Sequence, residues 1–408
     1  MTLKGACLYA QSGGPTAVIN ASAYGVFKTA LDAHEITNVY AAANGIVGVL
    51  NDKIYNIGKE APNELAMLPG TPAAAFGSCR HKLKPPEVDN SEYLRILEVF
   101  KKYDIRYFFY NGGNDSMDTC DKISRFFAKN DYECRIIGIP KSIDNDLCGT
   151  DRAPGFGSAA KYIAASVAEI CLENRVYDAE SVIIIETMGR HAGWLTGASA
   201  LAGLSNAAPD LIYLPEIAFD MERFVGDIRA VVEKNKRCLV VVSEGLKYAD
   251  GKFVSETPAL ASDEFQHAQL GGVASTLSRV VKERVCKKTR GIELSLLQRC
   301  AAHNASKTDM DEAFEVGKFA VEQAIAGENG KMASILPIDN KNSGAKYALN
   351  ELSVTANNEK VVPREWINSV GNYVTQEFID YALPLIQGEF AQTENGVPRF
   401  AKLKLALC

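Results

Sequence analysis

The chain has 408 residues, with 44 Lys+Arg against 50 Asp+Glu and a net charge of −6. Its length allows two to three domains, and 47% apolar with 23% charged residues is the mix of a folded chain with substantial cores. The mild acidity argues against wrapping nucleic acid or lying on anionic lipid, and no stretch approaches the 18 consecutive apolar residues that a membrane-spanning helix needs.

Residues 1–11 carry neither a basic leader nor a long apolar run, so a cytoplasmic location is expected. Ten cysteines contain no CxxC and are too dilute for a disulfide scaffold, so most should be small buried hydrophobes in a reducing compartment. Five histidines contain no HExxH, which leaves a histidine-held zinc without support.

In chain order, short apolar runs at 6–10, 107–110, 136–139, 182–185, 239–242 and 294–297 read as buried strands. Helix-like segments lie between and after them at 17–31, 116–128, 159–172, 224–234 and 309–326. Strands alternating with helices imply an α/β fold with largely parallel sheets, here two Rossmann-like lobes with a cleft between them. The expected division puts 1–140 with about 300–345 in one lobe and 141–299 with about 346–408 in the other. The last 60 or so residues show no clear pattern and no repeat.

Each apolar run ends in a polar or glycine-rich loop. These are Gln11-Ser12-Gly13-Gly14, Asn111-Gly112-Gly113-Asn114-Asp115-Ser116, Pro140-Lys141-Ser142-Ile143-Asp144-Asn145-Asp146, Glu186-Thr187-Met188-Gly189-Arg190, Ser243-Glu244-Gly245 and Gln298-Arg299. Ligands of open α/β sheets bind beyond the carboxyl ends of the strands, so six such loops should converge on one cleft.

Gly13-Gly14 and Gly112-Gly113 each sit between a strand and a helix, where bare backbone can approach an anion. Either one alone reads equally well as a tight turn; two in succession favour phosphate. There is no GxxxxGK[ST], and the GxGxxA at 155–160 follows a loop rather than a strand, so it is rejected as a dinucleotide fingerprint. Asp144 is a candidate base for an alcohol, Asp146 a candidate support for a metal, and Lys141 a point charge suited to phosphate. Arg190, Arg290 and Arg299 could grip a phosphorylated substrate, and Glu244 could accept sugar hydroxyls. Taken singly, the Asp144–Asp146 cluster reads more readily as a solvated loop and a lone Arg as a surface charge, while Glu244 is as readily a helix-capping acid.

These loops, together with Asn20 and Gly77-Ser78-Cys79-Arg80, resemble in order those of the phosphofructokinase family from residue 13 to residue 299. The resemblance is to its pyrophosphate-dependent branch. ATP-dependent members typically carry Gly-Gly-Asp-Gly-Ser and Pro-Gly-Thr-Ile-Asp-Asn-Asp, whereas here Asp115 and Lys141 replace a glycine of each. A carboxylate at 115 would repel a nucleotide's α-phosphate, and Lys141 would stabilise the charge of pyrophosphate as it reacts.

The resemblance implies a reversible, magnesium-dependent transfer from pyrophosphate to fructose 6-phosphate. It makes the first lobe the donor lobe and the second the sugar-phosphate lobe. Asp144, Lys141, Asp115 and Arg190 would be catalytic, and Gly13, Gly14, Arg80, Gly113 and Ser116 would hold the donor. Ser142, Ile143, Asp144, Met188, Gly189, Arg190, Glu244, Arg290 and Arg299 would hold the sugar phosphate, and Asn114 and Asp146 the Mg2+. An arginine in this family can come from a neighbouring subunit, which implies a homodimer or homotetramer. Asn114 stands where the family usually has aspartate, Ser181 where many members carry a substrate arginine, and Leu296 where an aromatic or histidine is common. A looser pocket of that kind would admit sedoheptulose 7-phosphate. The rival readings are an ATP-dependent enzyme and a non-catalytic phosphate-sensing subunit.

Overall fold

The computed structural model describes residues 3–255, 272–338 and 344–408. In chain order its main strands are β1 (Gly5–Gln11), β2 (Ile36–Ala42), β3 (Ile54–Asn56), β4 (Ile105–Gly112), β5 (Arg135–Pro140), β6 (Ser181–Thr187), β7 (Leu211–Tyr213), β8 (Arg237–Ser243), β9 (Thr289–Glu293), β10 (Lys331–Pro337) and β11 (Ala345–Glu351). They form a seven-stranded sheet in the order β11-β10-β5-β4-β1-β2-β3 and a four-stranded sheet in the order β7-β8-β6-β9. The smaller sheet is parallel throughout, and in the larger only the outermost β3 and β11 run antiparallel. This is the two-lobed, largely parallel α/β architecture that the alternating pattern implies.

The central strands are buried along their length because helices cover both sheet faces. All seven residues of β1 are buried. Successive side chains point to opposite faces: Leu8, Phe108 and Tyr110 join one core layer, while Cys7, Tyr9, Tyr107 and Phe109 join the other. The covering helices are α1 (Ile19–Asp32), α2 (Ser91–Lys102), α3 (Asn114–Lys129), α4 (Phe156–Asn174), α5 (Met221–Asn235), α6 (Val273–Arg284) and α7 (Lys307–Ala326). In α3 the buried apolar positions Met117, Cys120, Ile123, Phe126 and Phe127 recur at helical spacing and press one stripe onto the sheet. Six of the ten cysteines are buried and all are free, as their spacing implied.

The GxGxxA segment opens α4 and is a packing device. The backbone N–H groups of Gly155 and Ser158 donate to the two carboxylate oxygens of Asp309, at 2.9 and 2.8 Å. The acidic side chain fills the helix start that an anion would need.

Two expectations need correction. Residues 294–297 are not a strand: β9 ends at Glu293, Ser295 turns with φ +44°, and a short helical turn, Leu297–Cys300, follows. Leu296 and Leu297 are 58% and 56% exposed, so an apolar run was mistaken for a buried one. Nor do residues 346–408 stay with the smaller sheet. Ile367, Val374, Phe378 and Leu385 do join its core. But β11 is an edge of the larger sheet, and the chain end returns to that lobe, where the Asn56 N–H donates to the Ala406 carbonyl at 3.1 Å.

Candidate active site

The loops after β1 and β4 are built side by side. The Ser12 N–H donates to the Asn111 carbonyl at 2.9 Å, and Gly13, with φ +77°, donates to the Cys79 carbonyl at 3.0 Å. Ser78 Oγ returns a bond to the Gly13 carbonyl at 2.7 Å, which fixes the 77–80 segment beside it. Asn20, buried in α1, donates to the carbonyls of Thr71 and Ala73 and accepts from Ala75, so one amide shapes the approach to Arg80. A side chain at Gly112 would meet Ser116 Oγ at 2.0 Å, so only glycine permits this close turn into α3. Gly113 caps that helix, and Asn114 and Asp115 occupy its first turn. Asp115 Oδ1 lies 3.3 Å from Lys82 Nζ, a neighbour that no motif singled out.

The loop after β5 lies against the same turn, for the Lys141 N–H donates to the Gly112 carbonyl at 3.1 Å. Lys141 is 5% exposed, and its Nζ donates to the Gly14 carbonyl at 2.8 Å. Burial pushes its pKa down to about 8; Arg299 and Arg80 add to the fall, and Asp146 and Asp144 oppose it. Ser142 Oγ donates to Asp146 Oδ1 at 2.7 Å and accepts from the Asp144 N–H at 3.1 Å. Asp144 Oδ1 is enclosed without a hydrogen-bond partner. Burial, then the charges of Asp146 and Glu244, push the Asp144 pKa up to about 8, against the pull of Lys141 and Arg299. Ile143 is buried in the core of the smaller lobe and anchors the loop between the two carboxylates and that core.

The smaller lobe supplies the opposite wall. Gly189, with φ +118°, donates its N–H to Glu244 at 3.2 Å, and the Met188 N–H donates to buried Gln298 at 3.1 Å. A side chain at Gly245 would meet the Arg190 carbonyl at 2.0 Å, so the 188–190 and 243–245 turns are pressed together. Burial pushes the Glu244 pKa up, while the Gly189 N–H, Arg190 and Arg299 pull it back. Arg299 crosses between the lobes: an added side chain on Gly14 would lie 2.8 Å from its Nη1. Its Nε is buried without a partner, and burial followed by the nearby Arg80 charge depresses its pKa.

Lys141, Asp144, Glu244, Arg299 and Arg80 thus share one cleft. Three atoms there, Asp144 Oδ1, Asn114 Oδ1 and Arg299 Nε, are buried without partners. Buried polar atoms are nearly always paired, so each of these three is open to a ligand atom. Arg290 is not brought in. It pairs with Ile183 in mid-strand, three residues before the end of β9, and is exposed. Ser181 lies at the start of β6, donating to Asn174 Oδ1 at 2.7 Å, away from the acceptor turn.

The donor set suits a hard cation. Mg2+ takes a few oxygens from protein and the rest from substrate phosphate and water. The orphaned Asn114 Oδ1 and the carboxylates of Asp144 and Asp146 are oxygens of that kind. Among the described residues there is no cluster of three or more His, Cys, Asp or Glu side chains placed to hold a metal by themselves.

The phosphofructokinase model matches residues 6–324. The chain belongs to this family. It is 46% identical over 401 residues to the pyrophosphate–fructose 6-phosphate 1-phosphotransferase of Halomonas elongata, covering 97% of this chain and 95% of that one. Among solved structures, the pyrophosphate-dependent phosphofructokinase of Nitrosospira multiformis superposes with a TM-score of 0.90 at 40% identity, covering 99% of this chain and 98% of that one. That of Marinobacter aquaeolei gives 0.89 at 42% identity, covering 100% and 97%.

Sequence reasoning missed Lys82 and the neighbours His191 and Glu359, whose side chains meet at 2.9 Å. It also missed Lys360, half-buried beneath the 144–151 loop. No motif marks these residues, because their partners come from other loops or are backbone carbonyls.

Proposed function

We propose that this chain transfers a phosphoryl group reversibly between pyrophosphate and the 1-hydroxyl of fructose 6-phosphate. The observation that carries this reading is the placement of Lys141. Its ammonium is buried against the Gly14 carbonyl, between the two glycine loops and the Asp144 carboxylate. A cation held there meets a compact, highly charged donor, while Asp115 at the start of α3 repels the longer phosphate chain of a nucleotide. Relatives bearing the pyrophosphate-dependent name over nearly the whole chain support the same conclusion.

In the forward direction the Asp144 carboxylate takes the proton of the 1-hydroxyl. The freed oxygen forms the new O–P bond as the bridging O–P bond of pyrophosphate breaks, and inorganic phosphate leaves. Lys141, Arg80 and Arg299 neutralise phosphate oxygens, and Gly13, Gly14, Gly113 and Ser116 present backbone and hydroxyl groups to the donor. Met188, Gly189, Arg190 and Glu244 orient the sugar, with Ser142 and Ile143 fixing the loop beneath it. Asn114, Asp146 and the substrate phosphates would hold Mg2+, which when bound supplies further charge neutralisation.

The acceptor range extends in this reading to sedoheptulose 7-phosphate, since Leu296 stands where the family commonly has an aromatic or histidine side chain. The working form is a cytoplasmic homo-oligomer. Purified protein assayed with fructose 6-phosphate, Mg2+ and either donor tests the proposal. Turnover with pyrophosphate and little with ATP is expected. Robust turnover with ATP alone would make it an ATP-dependent kinase, and sugar-phosphate binding without turnover on either donor would make it a sensor.

A further inference from the structure

Residues 359–362 lie beyond the family match and bind the back of the 144–151 loop. The Lys360 N–H donates to the Asp146 carbonyl at 2.7 Å, and the Lys360 carbonyl accepts from Trp194 Nε1 at 3.1 Å. Glu359 meets His191, the residue after Arg190, at 2.9 Å. The Val362 N–H and the Gly193 N–H share one oxygen of Glu216, at 2.9 and 2.7 Å. This one stretch therefore fastens both the loop carrying Asp144 and the turn carrying Arg190.

The Lys360 side chain goes further. Its ammonium donates to the Asp151 carbonyl and lies 3.4 Å from the Thr150 carbonyl and 3.5 Å from Asn145 Oδ1. It also sits 5.1 Å above the Trp194 ring. None of these contacts is a carboxylate: three oxygens and an aromatic face form the coordination that a bare ammonium or potassium ion would choose. Asn145, at φ +53°, is the left-handed residue between Asp144 and Asp146. Its amide nitrogen donates to the Tyr381 hydroxyl at 2.8 Å, and that hydroxyl donates to the Asp151 carbonyl at 2.7 Å. Burial pushes the Lys360 pKa down to about 8, with Asp151 and Asp146 opposing the fall, as expected for an ammonium taken out of water.

We propose that Lys360 is a positioning residue for phosphoryl transfer, a tethered cation that gathers the carbonyls of Thr150 and Asp151 and the Asn145 amide and so fixes where Asp144 and Asp146 stand. This rests on the proposed function. Misplacing a reacting group by about an ångström can cost about 100-fold in rate without weakening substrate binding.

Two variants and one optical signal test it. Lys360→Met keeps the stem and removes the charge; a folded protein with kcat about 100-fold lower and KM for both substrates within about threefold is expected. Lys360→Ala vacates the ammonium's place, and ammonium chloride should restore at least about tenfold of its kcat where sodium chloride at equal ionic strength restores none. If Lys360→Ala fails to fold in sodium buffer, refolding in ammonium should recover active protein. Unchanged kcat in Lys360→Met, or ammonium acting no better than sodium on Lys360→Ala, overturns the proposal. Indole fluorescence separates this from failure of the functional reading, since Trp194 faces the site and needs no turnover. If the wild type is inert with pyrophosphate, an ammonium-specific change in Lys360→Ala still supports the cation seat, and its absence overturns it.

Discussion

Asp144 and Lys141 share a cleft and titrate in the same range, each near 8, but in opposite senses. As pH rises through that range Asp144 gains the charge a base needs, while Lys141 loses the charge that neutralises phosphate. A narrow bell in kcat/KM follows, its acid limb set by Asp144 and its alkaline limb by Lys141. Neighbouring charges give the test. Lys141 pulls the Asp144 pKa down and Glu244 pushes it up. Lys141→Met should therefore move the acid limb to higher pH, and Glu244→Gln should move it lower. Shifts in the same direction, or none, would remove this account of the base. Asp144→Asn should lose about 10²- to 10⁴-fold in kcat with the fold intact by circular dichroism. For donor choice, the double change Asp115→Gly with Lys141→Gly should abolish pyrophosphate turnover; unchanged rates would show that these two residues do not select the donor.

At the level of elements, α1 and α7 are held unusually close. A side chain added at Gly25 would sit 2.1 Å from the Phe314 carbonyl, and one at Gly317 would sit 2.3 Å from the Ser22 carbonyl. Both obstacles are backbone, which cannot rotate away. Gly317→Ala should consequently cost about 1–3 kcal/mol, the usual range for overpacking, read as a lower urea midpoint at unchanged slope. Since α1 carries Asn20, the same change should also raise KM for the donor; a neutral result on both would mean that the helices can slide apart freely. The sequence revealed the loops after β1, β4, β5, β6 and β8 because each ends a buried apolar run in glycine, carboxylate or lysine. It did not reveal β11, whose half-buried residues form an antiparallel edge with no clean period. It misread 294–297 because apolar content alone does not distinguish a core strand from an exposed turn. Lys360 escaped notice for another reason: its partners are mainly carbonyl oxygens, which leave no trace in residue type.

For the whole molecule, the net charge of −6 says little about binding two anions, because Lys141, Arg80 and Arg299 are gathered at one site. Of the arginines that the resemblance assigns to the sugar phosphate, Arg290 remains outside it. Arg290 lies three residues short of the β9 end, about 10 Å at strand rise, and cannot act with Arg299 by moving its side chain alone. Yet β9 is the outer strand of the smaller sheet, and exposed apolar groups lie near its two ends. Val176 and Tyr177 are 62% and 61% exposed, with Lys288 Nζ 4.5 Å over the Tyr177 ring, and Leu296 and Leu297 follow the strand. If a second copy met this edge and covered these apolar side chains, it would bring Arg290 toward its partner's sugar phosphate. Arg290→Ala should then raise KM for fructose 6-phosphate about 10- to 100-fold, the effect of one charge-assisted bond to phosphate, while the dimer persists in sedimentation. Tyr177→Glu should yield monomers with the same rise in KM. If Arg290→Ala binds the sugar phosphate as tightly as the wild type, or if the wild type sediments as a monomer at assay concentration, the acceptor site is complete within one chain and Arg290 is a surface charge.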